Sequence, residues 1–257
     1  MPPALRATGY FALAYRRTWR GSLVSTFVSP TLYLLAMGVG LGSFINKGSH
    51  TASLGGVSYL QFVAPGLAAA AAGLTAASEA TFPVMGALKW NRTYFGMLAT
   101  PLRVADVLAG HLIWIATRVA MAVGAYLIVM AAFGTTQSIE SILVLPVGVL
   151  VGLAFATPLA AFAATQENDS AFSLIFRLGM IPLFLFSGVF FPISQLPEGL
   201  RVVAYITPLW HGVDLCRDLT LGTVTAASAV GHVAYLGGLA AAGYLVATRT
   251  FATRLLT

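Results

Sequence analysis

Long apolar runs alternate with short polar or mixed segments along this chain, and the runs set its architecture. Residues 23–45, 59–82, 104–133, 143–164, 171–191 and 229–248 each hold no more than two charged side chains. Each run meets the roughly 20 residues that a helix needs to cross the hydrocarbon of a bilayer. Spanning segments this apolar must be helical, because lipid satisfies no backbone N–H or C=O group. Strands of a membrane barrel would alternate in polarity and extend only about ten residues. The pattern predicts an all-α polytopic membrane protein, with six transmembrane helices in a single transmembrane domain over residues 1–257.

Composition agrees. Charged residues make up 9% of the chain and hydrophobic residues 58%, with a mean hydropathy of +0.85. Soluble domains carry about 25% charged residues, so this chain has too few to cover a water-facing surface. Its formal charge of +6 is spread in short clusters beside apolar runs. That placement suits an anionic membrane leaflet and argues against a nucleic-acid partner. Cys216 is the only cysteine, which excludes an intrachain disulfide and Cys-based metal motifs. The Met-Pro-Pro start lacks a cleavable signal pattern, so the first span is expected to stay in the mature protein.

Basic residues also set the expected orientation. One side collects Arg6, Arg16, Arg17, Arg20, Lys89, Arg92, Arg103, Arg249 and Arg254; the other holds Lys47, Arg201 and Arg217. The bias places both termini in the cytoplasm of a multi-pass inner (plasma) membrane protein.

Three segments do more than connect spans. In residues 1–22, Phe11, Tyr15 and Trp19 recur every fourth position beside Arg16, Arg17 and Arg20. This reads as an amphipathic helix in the membrane interface, rings in the acyl boundary and arginines toward phosphates; the alternative is an ordinary positive flank. Residues 83–103 are cytoplasmic by charge, yet contain Leu88, Trp90, Tyr94, Phe95, Met97 and Leu98. A partner protein would cover such a surface, or the helix would lie flat on lipid. Thr100-Pro101 is a plausible helix stop. Residues 192–227 lie on the outer side, broken by Pro192, Pro197 and Pro208. Leu200 to Ile206 and Trp210 to Leu221 read as two short helices that dip into the membrane and return, shielded by protein. The pairs Gly38/Gly42 and Gly148/Gly152 have the spacing that lets helices pack closely.

Two stretches carry a family resemblance. GALKWNRTYFGMLATPLRVADVLAGHLIW resembles the cytoplasmic loop and third span of type-2 ABC transporter permeases, the group with nodulation-factor, polysaccharide and daunorubicin exporter subunits. FLFSGVFFPISQLPEGLRVVAYITPLWHGVDLCRDLTLG looks like the same family's segment after the fifth span, with aromatic-Pro, Leu-Pro, Pro-Leu-x-His and a late Arg in order. The resemblance implies a half-transporter that works with a second permease copy or a paralogue, on two cytoplasmic ABC ATPase subunits that bind ATP and Mg. Lys89, Trp90, Arg92, Thr93, Tyr94, Met97 and Leu98 would form the helix that couples to the ATPase. The first and fifth spans would meet at the dimer seam, and residues 192–227 would form an outer lid. Many members of the family carry an acidic residue where this chain has His111.

The remaining ionisable groups bear on mechanism. Lys47 and Lys89 are the only lysines, and neither follows a glycine-rich phosphate-cradling loop. The chain is expected to bind no cofactor and hydrolyse no ATP alone, so energy comes from a partner or an ion gradient. Arg118 lies deep in the third span, where a charge faces protein or water; it binds helix carbonyls or neutralises an anionic headgroup. Glu79 and His111 fall at similar depth in adjacent spans and are expected to be neighbours. His211, Asp214 and Asp218 share one face of a short helix beside Arg217, a pattern that reads as an internal network rather than a metal site. Glu167 sits in a polar turn before the fifth span, where it is solvated or touches the ATPase. An intramembrane serine protease would need a Gly-x-Ser-Gly elbow, which is missing. A secondary transporter would show inverted repeats, and none is evident. An amphipathic cargo such as a drug, glycolipid or lipid-linked saccharide fits an apolar pathway with few charges.

Overall fold

The computed structural model describes residues 2–46, 54 and 56–256. Lys47, one of the three basic residues counted on the outer side, lies outside the described residues. All regular structure described is helical. Helix α1 spans Pro3–Tyr15, α2 spans Trp19–Ile45, α3 spans Tyr59–Trp90, and the short α4 spans Thr93–Leu98. Helix α5 covers Val104–Ala132, α6 covers Ile139–Thr165 and α7 covers Ser170–Phe186. Two short helices follow, α8 (Glu198–Ile206) and α9 (Pro208–Leu221), before the long α10 (Ala226–Leu256). Among the described residues, α2, α3, α5, α6 and α10 are long and apolar enough to cross a membrane. The shorter α7, at about 1.5 Å per residue, reaches only about 25 Å.

Local chemistry explains where several helices begin. Ser58 opens α3 with a reciprocal cap: Gln61 N–H donates to Ser58 Oγ at 3.3 Å and Ser58 N–H donates to Gln61 Oε1 at 2.9 Å. Arg103 N–H donates to Asp106 Oδ2 at 3.0 Å at the start of α5. Thr207 caps α9 by accepting from Trp210 N–H at 3.3 Å, and Pro208 occupies the first turn, where its missing N–H costs nothing.

Helix α6 forms the centre of the bundle, packed against α3, α5, α9 and α10. Its close contact with α5 uses the second glycine pair. A Cβ added at Gly148 would come within 2.7 Å of Val123, and one at Gly152 within 2.8 Å of Val119, both on α5. That pair therefore packs within the subunit. Helices α2 and α7 are peripheral and leave Val24, Phe27, Leu32, Phe44, Leu174, Leu178 and Ile181 exposed.

Boundaries differ from the sequence reading in several places. The second run, read as ending at Phe82, continues to Trp90 beyond a break at Thr81. The expected interfacial helix breaks at Arg16 to Thr18, so Trp19 starts α2 and does not continue the stripe of α1. The fifth apolar run leaves the helix at Phe186, five residues early, because Ser187 turns into Gly188 with φ +80°. The sixth continues well beyond Thr248, to Leu256. Three π-helical turns, Ala36–Leu41, Gly86–Trp90 and Ile175–Met180, interrupt α2, α3 and α7. Each shifts which side chains share a face.

Candidate functional site

One end of the bundle holds α1, α4 and the C-terminal part of α10. There α3 finishes in its π turn, with Asn91 N–H donating to Gly86 O at 2.8 Å. Arg92 follows in the left-handed region at φ 50°, costly for a residue with a Cβ, and this turn redirects the chain into α4. The expected continuous helix from Lys89 to Leu98 is thus two pieces at an angle.

Splitting the segment also sorts its side chains. Trp90 is 57% exposed and Phe95 39% exposed, and the Arg92 guanidinium sits over the Phe95 ring at 5.7 Å. Tyr94, grouped with them in the sequence, is wholly buried. Its hydroxyl is hydrogen-bonded to His111 Nδ1, and its ring packs 5.7 Å from Phe251 of α10. Tyr94 therefore anchors α4 to the bundle and presents nothing to a partner. Thr93, Met97 and Leu98 are half-buried beneath the same helix.

His111 is the hub of this end. It is buried, with the Phe11 ring 4.6 Å away on its other side. Helix α1 reaches it because Gly110 lets the backbones touch. A Cβ there would lie 2.5 Å from Ala7 Cβ and 2.7 Å from Ala4 O, and Thr8 Oγ1 donates to Gly110 O at 3.0 Å. Tyr15 packs on Trp114 at 5.5 Å. Phe11 and Tyr15 thus face α5 rather than the acyl boundary, since the small residues of α1 and Gly110 allow a close protein contact. Trp19, Arg16, Arg17 and Arg20 remain exposed. A groove of about 680 Å³ runs between α1 and α4, with Arg6, Tyr10, Arg92 and Met97 in its walls.

Two charge clusters complete the site. Lys89 Nζ and Arg254 both reach Glu167, Lys89 at its carbonyl and carboxylate and Arg254 at its carboxylate. The hydrogen bond from Arg254, aided by both positive charges, holds the Glu167 carboxyl below its ordinary range. Deeper in the bundle, Arg118 Nε donates to Glu79 Oε1 at 3.0 Å and Nη1 donates to Ser22 Oγ at 2.9 Å. Its guanidinium also lies 4.7 Å from the Tyr15 ring. Arg118 therefore clamps the elbow between α1 and α2 to α3. The sequence reading put Glu79 beside His111 and left Arg118 to carbonyls or headgroups. The Glu79 main chain does lie beside His111, while its carboxylate goes to Arg118. The two deep opposite charges in neighbouring spans were the signal for that pair.

At the opposite end, Pro192, Pro197 and Pro208 stand at helix starts and divide the segment into short pieces. Helix α9 packs between α3 and α6, with Gly212 pressed against Val151. Arg217 Nε donates to Phe62 O at 3.1 Å and Nη2 to Gly188 O at 2.7 Å. His211 Nδ1 lies 2.9 Å from His232 Nδ1 of α10, and His232 Nε2 lies 3.4 Å from Asp214 Oδ2. The segment is thereby tied to α3, α6 and α10. Neither His111 nor His232 meets a serine hydroxyl among the described residues.

An apolar helical bundle with five helices long enough to cross a membrane, α1 and α4 packed on one end and α9 packed into the other, is the architecture of an integral membrane protein. A family comparison places it: the ABC-2 type transporter family matches residues 9–221, and the chain belongs to that family. It is similar to Nodulation protein J of Rhizobium leguminosarum bv. trifolii, 34% identical over 82% of this chain and 78% of the relative. Nodulation protein J of the viciae biovar is 31% identical over 95% of this chain and 92% of the relative. The inner membrane transport permease YadH of Escherichia coli is 24% identical over 81% and 78%.

Proposed function

We propose that this chain is the membrane-spanning subunit of an ATP-driven exporter, moving an amphipathic cargo such as a drug, glycolipid or lipid-linked saccharide out of the cytoplasm or inner leaflet. Two copies, or this chain and a paralogue, work with two cytoplasmic ATPase subunits that bind ATP and Mg. Both termini face the cytoplasm of the inner membrane. The observation that carries this reading is the pairing of exposed Trp90, Arg92 and Phe95 with the buried anchor Tyr94. An outward aromatic and basic face on a helix fixed from beneath suits a partner that delivers force.

The mechanism follows from the contacts. ATPase closure displaces α4, and the Tyr94 ring passes the displacement to His111 on α5 and Phe251 on α10. Through Gly110 and Phe11 the same movement reaches α1. Densely packed rings shift together rather than compress, so the elbow of α1 and α2 follows. The exposed faces of α2 and α7 meet their counterparts in the second permease and separate to open a lateral path. The folded-in pair α8 and α9 governs release on the outer side.

The test is purification of the tagged chain from its native membranes. A nucleotide-binding subunit is expected to accompany it, and transport by the reconstituted assembly is expected to require ATP. Cargo accumulation against a gradient by this polypeptide alone in liposomes would overturn the assignment.

A further inference from the structure

A cavity of about 340 Å³ opens at the end of the bundle opposite α4, between α8, α9 and the start of α3. Two guanidinium groups line it, Arg201 and Arg217, together with Phe62, Tyr205, Trp210 and Asp214. Arg217 is fixed in place: Nε and Nη2 donate to Phe62 O and Gly188 O, and the group lies 3.8 Å from the Phe62 ring centre. Among the described residues no protein acceptor meets its Nη1. Arg201 Nη2 donates to Ser194 O at 2.9 Å and Leu196 O at 3.1 Å. Its Nε is buried and has no hydrogen-bond partner among the described residues.

A buried guanidinium N–H without an acceptor is uncommon, because each such donor loses water and gains nothing in return. Asp214 is the one carboxylate in the lining, and His232 stands 3.4 Å from it on the side of α10. Two guanidinium groups therefore face Asp214 across the cavity, with Asp218 acting on Arg217 from the same helix, and the donor left over is the unpartnered Nε of Arg201. Planar guanidinium groups match the paired oxygens of a phosphate or carboxylate. The aromatic wall from Tyr205 and Trp210, edge to face at 4.6 Å, suits the carbon skeleton next to such an anion.

We propose that this cavity is a binding site for one net-anionic phosphate group, as a lipid headgroup carries, received between Arg201 and Arg217. The site is independent of what the ATPase end does, so it stands or falls by binding alone. The probes are phosphatidylglycerol, phosphatidylcholine and inorganic phosphate, offered to the purified full-length chain in detergent. Native mass spectrometry reads lipid retention, and thermal unfolding reads the response to phosphate. Phosphatidylglycerol is expected to be retained in preference to phosphatidylcholine, and Arg201→Gln to lower that retention about tenfold, the worth of one charge-assisted hydrogen bond. Arg249→Gln, on the exposed C-terminal part of α10, is expected to leave it unchanged. Stabilisation by phosphate that Arg201→Gln abolishes, without lipid preference, assigns the same chemistry to a free anion. Arg201→Lys, which keeps the charge and removes Nε, is expected to retain an intermediate amount and covers the case in which Arg201→Gln does not fold. Equal retention of both lipids with no response to phosphate overturns the proposal, as does wild-type retention in a folded Arg201→Gln or Arg201→Lys protein.

Discussion

Replacing Trp90 with Ala separates the proposed docking face from its anchor. A Trp side chain buries roughly 200 Å², so with 57% of the residue exposed on the order of 100 Å² remains for a partner to cover. At about 25 cal/mol per Å² that area is worth ~2.5 kcal/mol. Ordering the side chain on binding costs about 0.5–1.5 kcal/mol, which leaves ~1–2 kcal/mol and a loss of affinity of about 5- to 30-fold. Trp90→Ala should also lower the stability of the subunit by up to ~2 kcal/mol, because the part of the residue that is not exposed packs on the end of α3. Retention is therefore compared at a temperature where each variant is folded. Tyr94→Phe should differ in docking. It keeps the ring on Phe251 and leaves His111 Nδ1 without its partner, a cost of ~1–3 kcal/mol in stability with docking preserved. The assay is retention of the ATPase subunit on the immobilised, detergent-solubilised chain, beside a thermal unfolding curve for each variant. Full retention in Trp90→Ala, or loss of retention in a Tyr94→Phe protein of wild-type stability, would refute the division of roles.

Other perturbations test the frame around this site. Gly110→Ala drives a Cβ into Ala7 Cβ and the Ala4 carbonyl, at a cost of about 1–3 kcal/mol for overpacking; faster protease cleavage within α1 is the expected readout. Arg118→Met leaves Glu79 unpaired and should lower stability by ~2 kcal/mol, below the usual value for a broken buried pair because both side chains keep 21% exposure. Glu79→Gln combined with Arg118→Met should recover part of that loss, and a double variant weaker than either single one counts against the pair. Glu167 has a depressed folded-state pKa, so its ties are present above the ordinary carboxylate value and vanish as pH falls through the lower folded value. The small difference in unfolding temperature between wild type and Glu167→Gln should therefore be full near neutrality and close on acidification; a gap that widens in acid would reverse the sign.

Hydropathy made the helical architecture legible because lipid allows helices and little else. The depth of each residue along its helix was legible too, which is why Glu79, His111 and Arg118 stood out. Direction around the helix was not. Helix α4 has six residues, fewer than two turns, so its pattern could not reveal that Tyr94 points inward while Phe95 points out. The left-handed Arg92 and the π turn before it add a rotation that no regular period contains. The break at Arg16 to Thr18 likewise moved Trp19 onto another helix, although Phe11, Tyr15 and Trp19 keep perfect spacing in the sequence. The ties of Glu167 to Lys89 and Arg254 join residues 78 and 87 positions apart, and only the folded bundle brings them together.

Helix α3 links the two ends that the proposed function requires. At one end the Phe62 carbonyl holds Arg217 of the folded-in pair; at the other, Trp90 opens the docking face. Its 32 residues, at about 1.5 Å each, make a rod of roughly 48 Å. The rod is not uniform. Thr81 leaves helical geometry at φ −105° and ψ −88°, with Pro83 just beyond, so the last turns form a separate lever. Glu79 lies immediately before that break and is pinned by Arg118. A push on Trp90 alone would then be absorbed at Thr81, stopped by the pinned pair. A push delivered through Tyr94 bypasses the break, because His111 belongs to α5, which is helical without interruption from Val104 to Ala132. On the proposed mechanism, long-range coupling would therefore run through α5 and its neighbour α6, and the buried tyrosine, rather than the exposed tryptophan, would set how much of the stroke reaches the far end.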